Sequence, residues 1–175
     1  MRTVSDVFAT VNKPWINSKE LQKLLIHCRG EFNIQLVEEF VADFGQDGFV
    51  NLESFQQIWR VLKKFRAVFD RYAKRNMLTE LTVTAFRSLL EDHFDADLDN
   101  RFYRYLLRFY SNRITFDVVV HVIKHLEKLE RQGYNLKNDI HVAYYESAFA
   151  SATSPTAPEY VQNSLLYVPP AYTLA

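Results

Sequence analysis

The sequence predicts an all-α chain of about eight helices, with β structure limited to very short bridges between paired loops. Three observations carry that reading. Phe55, Ile58, Trp59, Leu62, Phe65, Phe69 and Tyr72 recur at spacings of three and four, a helical apolar stripe of about five turns. Only four of the 175 residues are Gly, while 48% are hydrophobic and 15% aromatic, which suits a sizeable, mostly helical core. Runs of this kind also alternate with short polar loops at a recurring period.

The stripe is preceded by Asp43-Phe44-Gly45-Gln46-Asp47-Gly48-Phe49-Val50-Asn51-Leu52-Glu53-Ser54. An EF-hand loop sets oxygen ligands at positions 1, 3, 5, 9 and 12 and Gly at position 6, where the backbone bends sharply. Asp43, Asp47, Gly48 and Asn51 fall at positions 1, 5, 6 and 9, with β-branched Val50 at position 8. Gly45 and Ser54 stand at positions 3 and 12, so two ligands are missing and Ca²⁺ should be held weakly, if at all. An Asp-Gly pair between apolar segments also reads as a plain turn. If the loop is EF-like, Gly45→Asp with Ser54→Glu should rebuild a site.

From the N-terminus, the same outline appears first at Val7 to Leu21. Ile16 is followed by Glu20 and then Leu21, Leu24 and Leu25, with Asn17 or Ser18 as helix cap. Phe32 to Phe44 is the helix entering the second hand, and the long stripe leaves it and enters a third. The third loop, Ala73 to Ala85, carries no acid at its early positions, and its exit runs from Phe86 to Phe94. The fourth hand enters on Leu98 to Tyr110, turns at Ser111-Asn112-Arg113 and exits through Phe116 to Leu129, its loop too short to enclose an ion. A fifth has Gly133 to His141 as loop and Val142 to Ala150 as exit, with Asn138 where Gly belongs.

Five units with bridge residues Ile16, Val50, Leu81, Ile114 and Ile140 resemble the penta-EF-hand family, which includes calpain small subunit, sorcin and grancalcin. The resemblance covers roughly residues 3–151. Its most specific points are the shared helices Leu52 to Tyr72 and Phe116 to Gln132, the run Phe109-Tyr110-Ser111 with Arg113 to Asp117, and Ile140 to Tyr144. It implies calcium sites in the first three loops. Carried over by residue, the first loop is an eleven-residue version that keeps Asn12 and Glu20, with carbonyls from Thr10 and Trp15; Lys13 and Pro14 depart from the pattern. The second keeps Asp43, Asp47 and Asn51. The third keeps nothing, because Ala73, Arg75 and Met77 take the early ligand positions. A hard divalent ion needs six to eight oxygens, and no loop supplies them, so the cofactor expectation is none or weakly bound Ca²⁺.

Other chemistry is thin. Net charge is zero from 21 basic and 21 acidic residues, which recruits neither nucleic acid nor an anionic membrane. His121 and His125 have the spacing of a two-His metal site, but a third ligand is missing and they read as two solvated histidines. Asp92, Asp95, Asp97 and Asp99 read as acids suited to a helix start. The lone Cys28 excludes an internal disulfide and fits a reducing compartment as a buried thiol. With Arg2, Asp6 and Asn12 interrupting the start and no run of 18 apolar residues, the expectation is a cytoplasmic protein with neither signal peptide nor transmembrane segment.

Residues 1–150 are expected to form the domain and 151–175 a tail without regular fold, holding four of the five prolines. Pro169, Pro170 and Tyr172 match the Pro-Pro-x-Tyr pattern that WW domains take; a tail folded back over the helices is the other reading. The fifth hand has no partner hand within the chain. Ile140, Val142, Tyr144, Tyr145 and Phe149 are therefore expected to form a dimer contact, with a second copy or with a calpain-type large subunit as the resemblance implies. The function that follows is a non-catalytic regulatory or adaptor protein with calcium binding largely lost. The alternatives are a calcium sensor with one or two weak sites, and a calpain-like regulatory subunit or C-terminal calpain fragment.

Overall fold

The computed structural model describes residues 3–28, 30–73 and 79–136. They fall into two compact units, the first running to Arg71 and the second beginning at Tyr72. Seven α-helices and one 3₁₀ turn are present among the described residues.

The first unit holds two helix-loop-helix hands. Helix α1 (Val4–Ala9) starts in a capping box. The Thr3 amide donates to Asp6 Oδ2 at 2.7 Å and the Asp6 amide to Thr3 Oγ1 at 3.1 Å, so two otherwise orphaned N–H groups are satisfied. Helix α2 (Ser18–Leu25) is capped by Asn17, one of the two residues expected to do so. It runs into the 3₁₀ turn Ile26–Cys28. Helix α3 (Ile34–Phe44) is capped by Asn33, and α4 (Leu52–Tyr72) carries the aromatic stripe. The stripe is the core of this unit. Phe55, Ile58, Leu62 and Phe69 are fully buried, and Phe8 meets Phe55 with ring centroids 5.4 Å apart. Trp59 and Phe65, at the edge of the stripe, are half-buried. Each fully buried apolar side chain contributes about 1.5–3 kcal/mol, so this face holds the unit together far more than any single polar contact.

One short antiparallel bridge joins the two loops. Ile16 and Val50 exchange both backbone hydrogen bonds, each at 2.9 Å, and both side chains are wholly buried.

The second unit contains α5 (Val83–Phe94), α6 (Asn100–Phe109) and α7 (Phe116–Arg131). Thr82 and Asp99 cap the first two. The Leu81 amide donates to the Ile114 carbonyl at 2.8 Å, as the sequence led us to expect for this pair, although the bridge itself is centred one residue outward on Glu80 and Thr115. Ser111 and Asn112 make the turn before it with φ of 54° and 58°. Helix α7 is buried along most of its length, including Val119, Val120, Val122, Ile123 and Leu126.

The acids from the end of α5 to the start of α6 have four separate roles, and only one suits a helix start. Asp92 accepts from the Tyr72 hydroxyl, Asp95 ends α5 in the left-handed region, Asp97 reaches Arg87 at 3.4 Å, and Asp99 alone caps a helix. Cys28 is half-buried, and burial pushes its thiol up to about 12 against the nearby Lys63, which removes it as a nucleophile.

Candidate cation-binding loops

Loop one joins α1 to α2. Asn12 sits in the left-handed region at φ 52°, and its amide donates to the Ala9 carbonyl at 3.0 Å, so the chain continues to wind for one turn past the helix end. The acid that would close a cation site, Glu20, is the third residue of α2 and completes a capping box. Its Oε2 accepts the Asn17 amide at 3.0 Å while Asn17 Oδ1 accepts the Glu20 amide at 3.0 Å. Its other oxygen, Oε1, lies 2.5 Å from the Lys13 ammonium. The hydrogen bond from Lys13, with the Asn17 amide second, holds the Glu20 carboxyl below the usual carboxylate range. Both oxygens of the closing acid are therefore engaged by groups of the protein itself.

Loop two is built differently from an EF-hand loop. Gln46 and Phe49 exchange backbone hydrogen bonds of 2.8 and 2.9 Å across Asp47 and Gly48, at φ 52° and 81°. Two consecutive left-handed residues are the signature of a type I′ hairpin turn, which an Asp-Gly pair favours because Gly has no Cβ and Asp tolerates that backbone. The plain-turn reading and the helix-loop-helix reading thus both hold: the turn is folded into the loop. Asp43 lies in the last turn of α3 and Asp47 at the exposed tip. Asn51 accepts the Ser54 amide at 2.9 Å and so begins α4. A Cβ added at Gly45 would lie 2.5 Å from the Phe49 carbonyl oxygen and 2.6 Å from that of Val41. The condition for rebuilding a site there fails, because backbone fills the space a position-3 side chain needs.

Of the third loop, Ala73 is described while Arg75 and Met77 lie outside the described residues. Across from it, Arg113 donates to Glu80 Oε1 through Nε at 3.0 Å and Nη2 at 2.6 Å. Among the described residues no group of three or more His, Cys, Asp or Glu could hold a metal ion.

His121 is buried and His125 half-buried, contrary to the expectation of two solvated histidines. Their ring centroids are 6.1 Å apart on α7, with Tyr110 packed edge-on against His121 at 6.3 Å. His121 is buried, and burial pushes it down to about 3, with His125 and Lys124 adding to the effect; burial and then Lys128 push His125 down to about 4. The apolar residues around them in the sequence, Val118 to Val122, were the signal for burial, since they leave little of α7 to face water.

What the sequence reasoning missed is on the outer side of the Ile16–Val50 bridge. Side chains alternate along extended backbone, so Trp15 and Phe49, each next to a buried bridge residue, point outward and are 42% and 47% exposed.

No family model matches the chain, and no curated protein matches it in sequence. Among solved structures, it is similar to a homolog of programmed cell death 6 protein from Leishmania major Friedlin, with a TM-score of 0.59 and 14% identity over 88% of this chain and 80% of that one. At that identity the likeness carries the fold alone. The chain has an all-α EF-hand fold. No helix among the described residues is long and apolar enough to cross a membrane.

The dimer residues Ile140, Val142, Tyr144, Tyr145 and Phe149 and the tail residues Pro169, Pro170 and Tyr172 lie outside the described residues.

Proposed function

We propose that this is a non-catalytic regulatory or adaptor protein of the penta-EF-hand type, which keeps the EF-hand scaffold, has largely given up calcium binding and acts through protein contacts. The observation that supports this most directly is the second loop, closed by the Gln46–Phe49 hydrogen bonds with no room at Gly45 for a ligand. A loop already closed by its own backbone gains nothing from an ion. The exposed Trp15 and Phe49 support the second half of the reading, since aromatic side chains left in water mark contact surfaces more often than aliphatic ones.

A weak calcium sensor is the second reading, favoured by one feature: Glu20 still stands at the start of α2, in the same hand as the left-handed Asn12. Calorimetric titration with Ca²⁺ tests the first reading against the second. We expect no site tighter than about 10⁻⁴ M, the weak end of EF-hand affinities; saturable heat at micromolar Ca²⁺ would overturn it. For partners, the proposal includes pairing through residues 133–150, with a second copy or a calpain-type large subunit, and a WW-domain partner for Pro169 to Tyr172. A mass measurement in solution at tens of micromolar, with and without the tail, tests the pairing, and Tyr172→Ala tests the WW contact.

A further inference from the structure

Among the described helices, α6 alone contains no Asp or Glu. In α4 and α5 an arginine four residues from an acid closes an ion pair, Arg66 with Asp70 at 2.8 Å and Arg87 with Glu91 at 2.7 Å. In α6 the exposed residues are Arg101, Arg104 and Arg108, spaced three and four apart, so arginine stands beside arginine on one face. Like charges at that spacing weaken a helix. The stretch from Asn100 to Phe116 holds four arginines and no Lys, Asp or Glu. The opposite face offsets the repulsion: Phe102, Tyr103, Tyr105, Leu106 and Phe109 are all buried, and the Arg87 guanidinium lies 5.0 Å from the centre of the Tyr103 ring. The row is thus held outward by a packed helix. Acids reach it only from outside α6: Asp99 accepts from Arg101 Nε at 3.0 Å, and Glu80 from Arg113, which follows in the turn. Arg104 has no hydrogen-bond or ion-pair partner among the described residues.

We infer that the outer face of α6 is a docking surface for an acidic helical segment of a partner protein, whose carboxylates Arg101, Arg104 and Arg108 receive. Charge complementarity names the chemistry. A guanidinium presents a planar fork that takes a carboxylate through two parallel hydrogen bonds, which an ammonium cannot do. Spacing names the shape. From Arg101 to Arg108 is about 10 Å along the axis, the interval between acids three, four and seven residues apart on a second helix. Extent favours a short segment over a broad anionic surface. Asp97, 88% exposed, and Asp99 stand at the start of α6, so a membrane or a nucleic-acid duplex laid along the helix would meet acids too. A partner carboxylate competes with Asp99 at Arg101, which makes Arg104 and Arg108 the residues to test. The inference rests on the reading of the chain as a protein that acts through contacts, and it names the chemistry of one partner.

The probe is a fluorescein-labelled, alanine-based helical peptide with glutamates along one face at spacings of three and four. Its control has the same composition with the glutamates spread around the helix. Anisotropy titrations use the full chain as wild type, as Arg104→Gln with Arg108→Gln, and as Arg104→Lys with Arg108→Lys. Wild type should bind the one-faced peptide saturably at micromolar concentration and the control at least tenfold more weakly. The glutamine pair should lose at least tenfold in affinity, and the lysine pair, which keeps the charge but not the fork, at least threefold. Equal binding of the two peptides, or a glutamine pair that binds as wild type does, would overturn the inference. So would tighter binding to vesicles containing phosphatidylserine than to the peptide, which would assign the face to a membrane. A further measurement needs no variant: raising salt from about 50 mM to about 500 mM should weaken wild-type binding at least tenfold, and salt-insensitive binding would equally overturn it. Micromolar Ca²⁺ binding would instead sink the calcium-independent reading and leave the peptide result standing, so the two failures are separable.

Discussion

The Phe49 carbonyl accepts the Gln46 amide at 2.8 Å and stands 2.5 Å from where a side chain on Gly45 would begin. The hydrogen bond that closes the turn is thus also what forbids a ligand at the third loop position. Replacing Gly45 by Asp, with Ser54 by Glu, is expected to create no calcium site. Gly45→Ala alone should lower stability by about 1–3 kcal/mol, the usual cost of forcing atoms into filled space. Urea denaturation and calorimetric Ca²⁺ titration check the two halves. A stable double variant with a saturable site would show that the loop can reopen.

A turn and a ligand site both need Gly48 but make different demands on Asp47. As a turn, the pair should accept Asp47→Asn without loss, since Asn favours the left-handed backbone at least as well. Gly48→Ala meets open space but sits at φ 81°, so it should cost about 1–2 kcal/mol through backbone strain alone. Thermal unfolding of both variants, with and without Ca²⁺, separates the two roles. Calcium-dependent stabilisation of the wild type that Asp47→Asn removes would contradict the turn reading.

These two residues also show what the sequence could and could not convey. Helix positions were legible because apolar spacing reports a face to be buried, and Leu52–Tyr72 and Phe116–Arg131 lie where that spacing put them. The Ile16–Val50 bridge was legible as two β-branched positions at the ends of their loops, whereas the second bridge falls on Glu80 and Thr115, one residue outward from Leu81 and Ile114. Loop conformation was not. Asp-Gly suits both a hairpin turn and the bend of an EF-hand, and the choice depends on Gly45, whose missing side chain reads only as a lost ligand in sequence. The charge pairing of Lys13 with Glu20 was hidden too, since it spans seven residues and depends on how the loop folds over the bridge. The histidines differ from expectation because the apolar run around them, Val118 to Val122, places that stretch of α7 in the core.

Those histidines set an acid limit on the second unit. Both are pushed down in the folded state, His121 to about 3 and His125 to about 4, from an ordinary value of 6.5. Above 6.5 both states are neutral and stability is unaffected. Below it the unfolded chain takes up protons that the folded chain refuses, so stability falls with pH until the folded-state values are reached. For His121 the loss approaches about 1.4 kcal/mol for each pH unit in that window. Burial and the positive charge of Lys124 and Lys128 nearby disfavour the protonated rings. His121→Phe should flatten the decline between pH 6.5 and 5 relative to wild type. Unchanged pH dependence in denaturant titrations would count against burial as the cause.

The last prediction sets the ion pair against the bridge in the second unit. Arg113 makes two hydrogen bonds to Glu80, and by eye this is the contact that fastens the two loops. Its side chains are 71% and 32% exposed, however, and a solvent-screened pair of that kind is worth about 0.2–1 kcal/mol. Beside it, Leu81 and Ile114 are 6% and 3% exposed and share a backbone hydrogen bond of 2.8 Å. Truncating a buried Ile to Ala typically costs about 2–5 kcal/mol. Arg113→Ala should therefore cost under about 1 kcal/mol, and less again in 1 M salt, where exposed charges are screened within about 3 Å. Ile114→Ala should cost several times more and show no salt dependence. Urea denaturation of both variants at low and high salt decides it: an Arg113→Ala loss equal to that of Ile114→Ala would mean that charge, and not apolar burial, joins these loops.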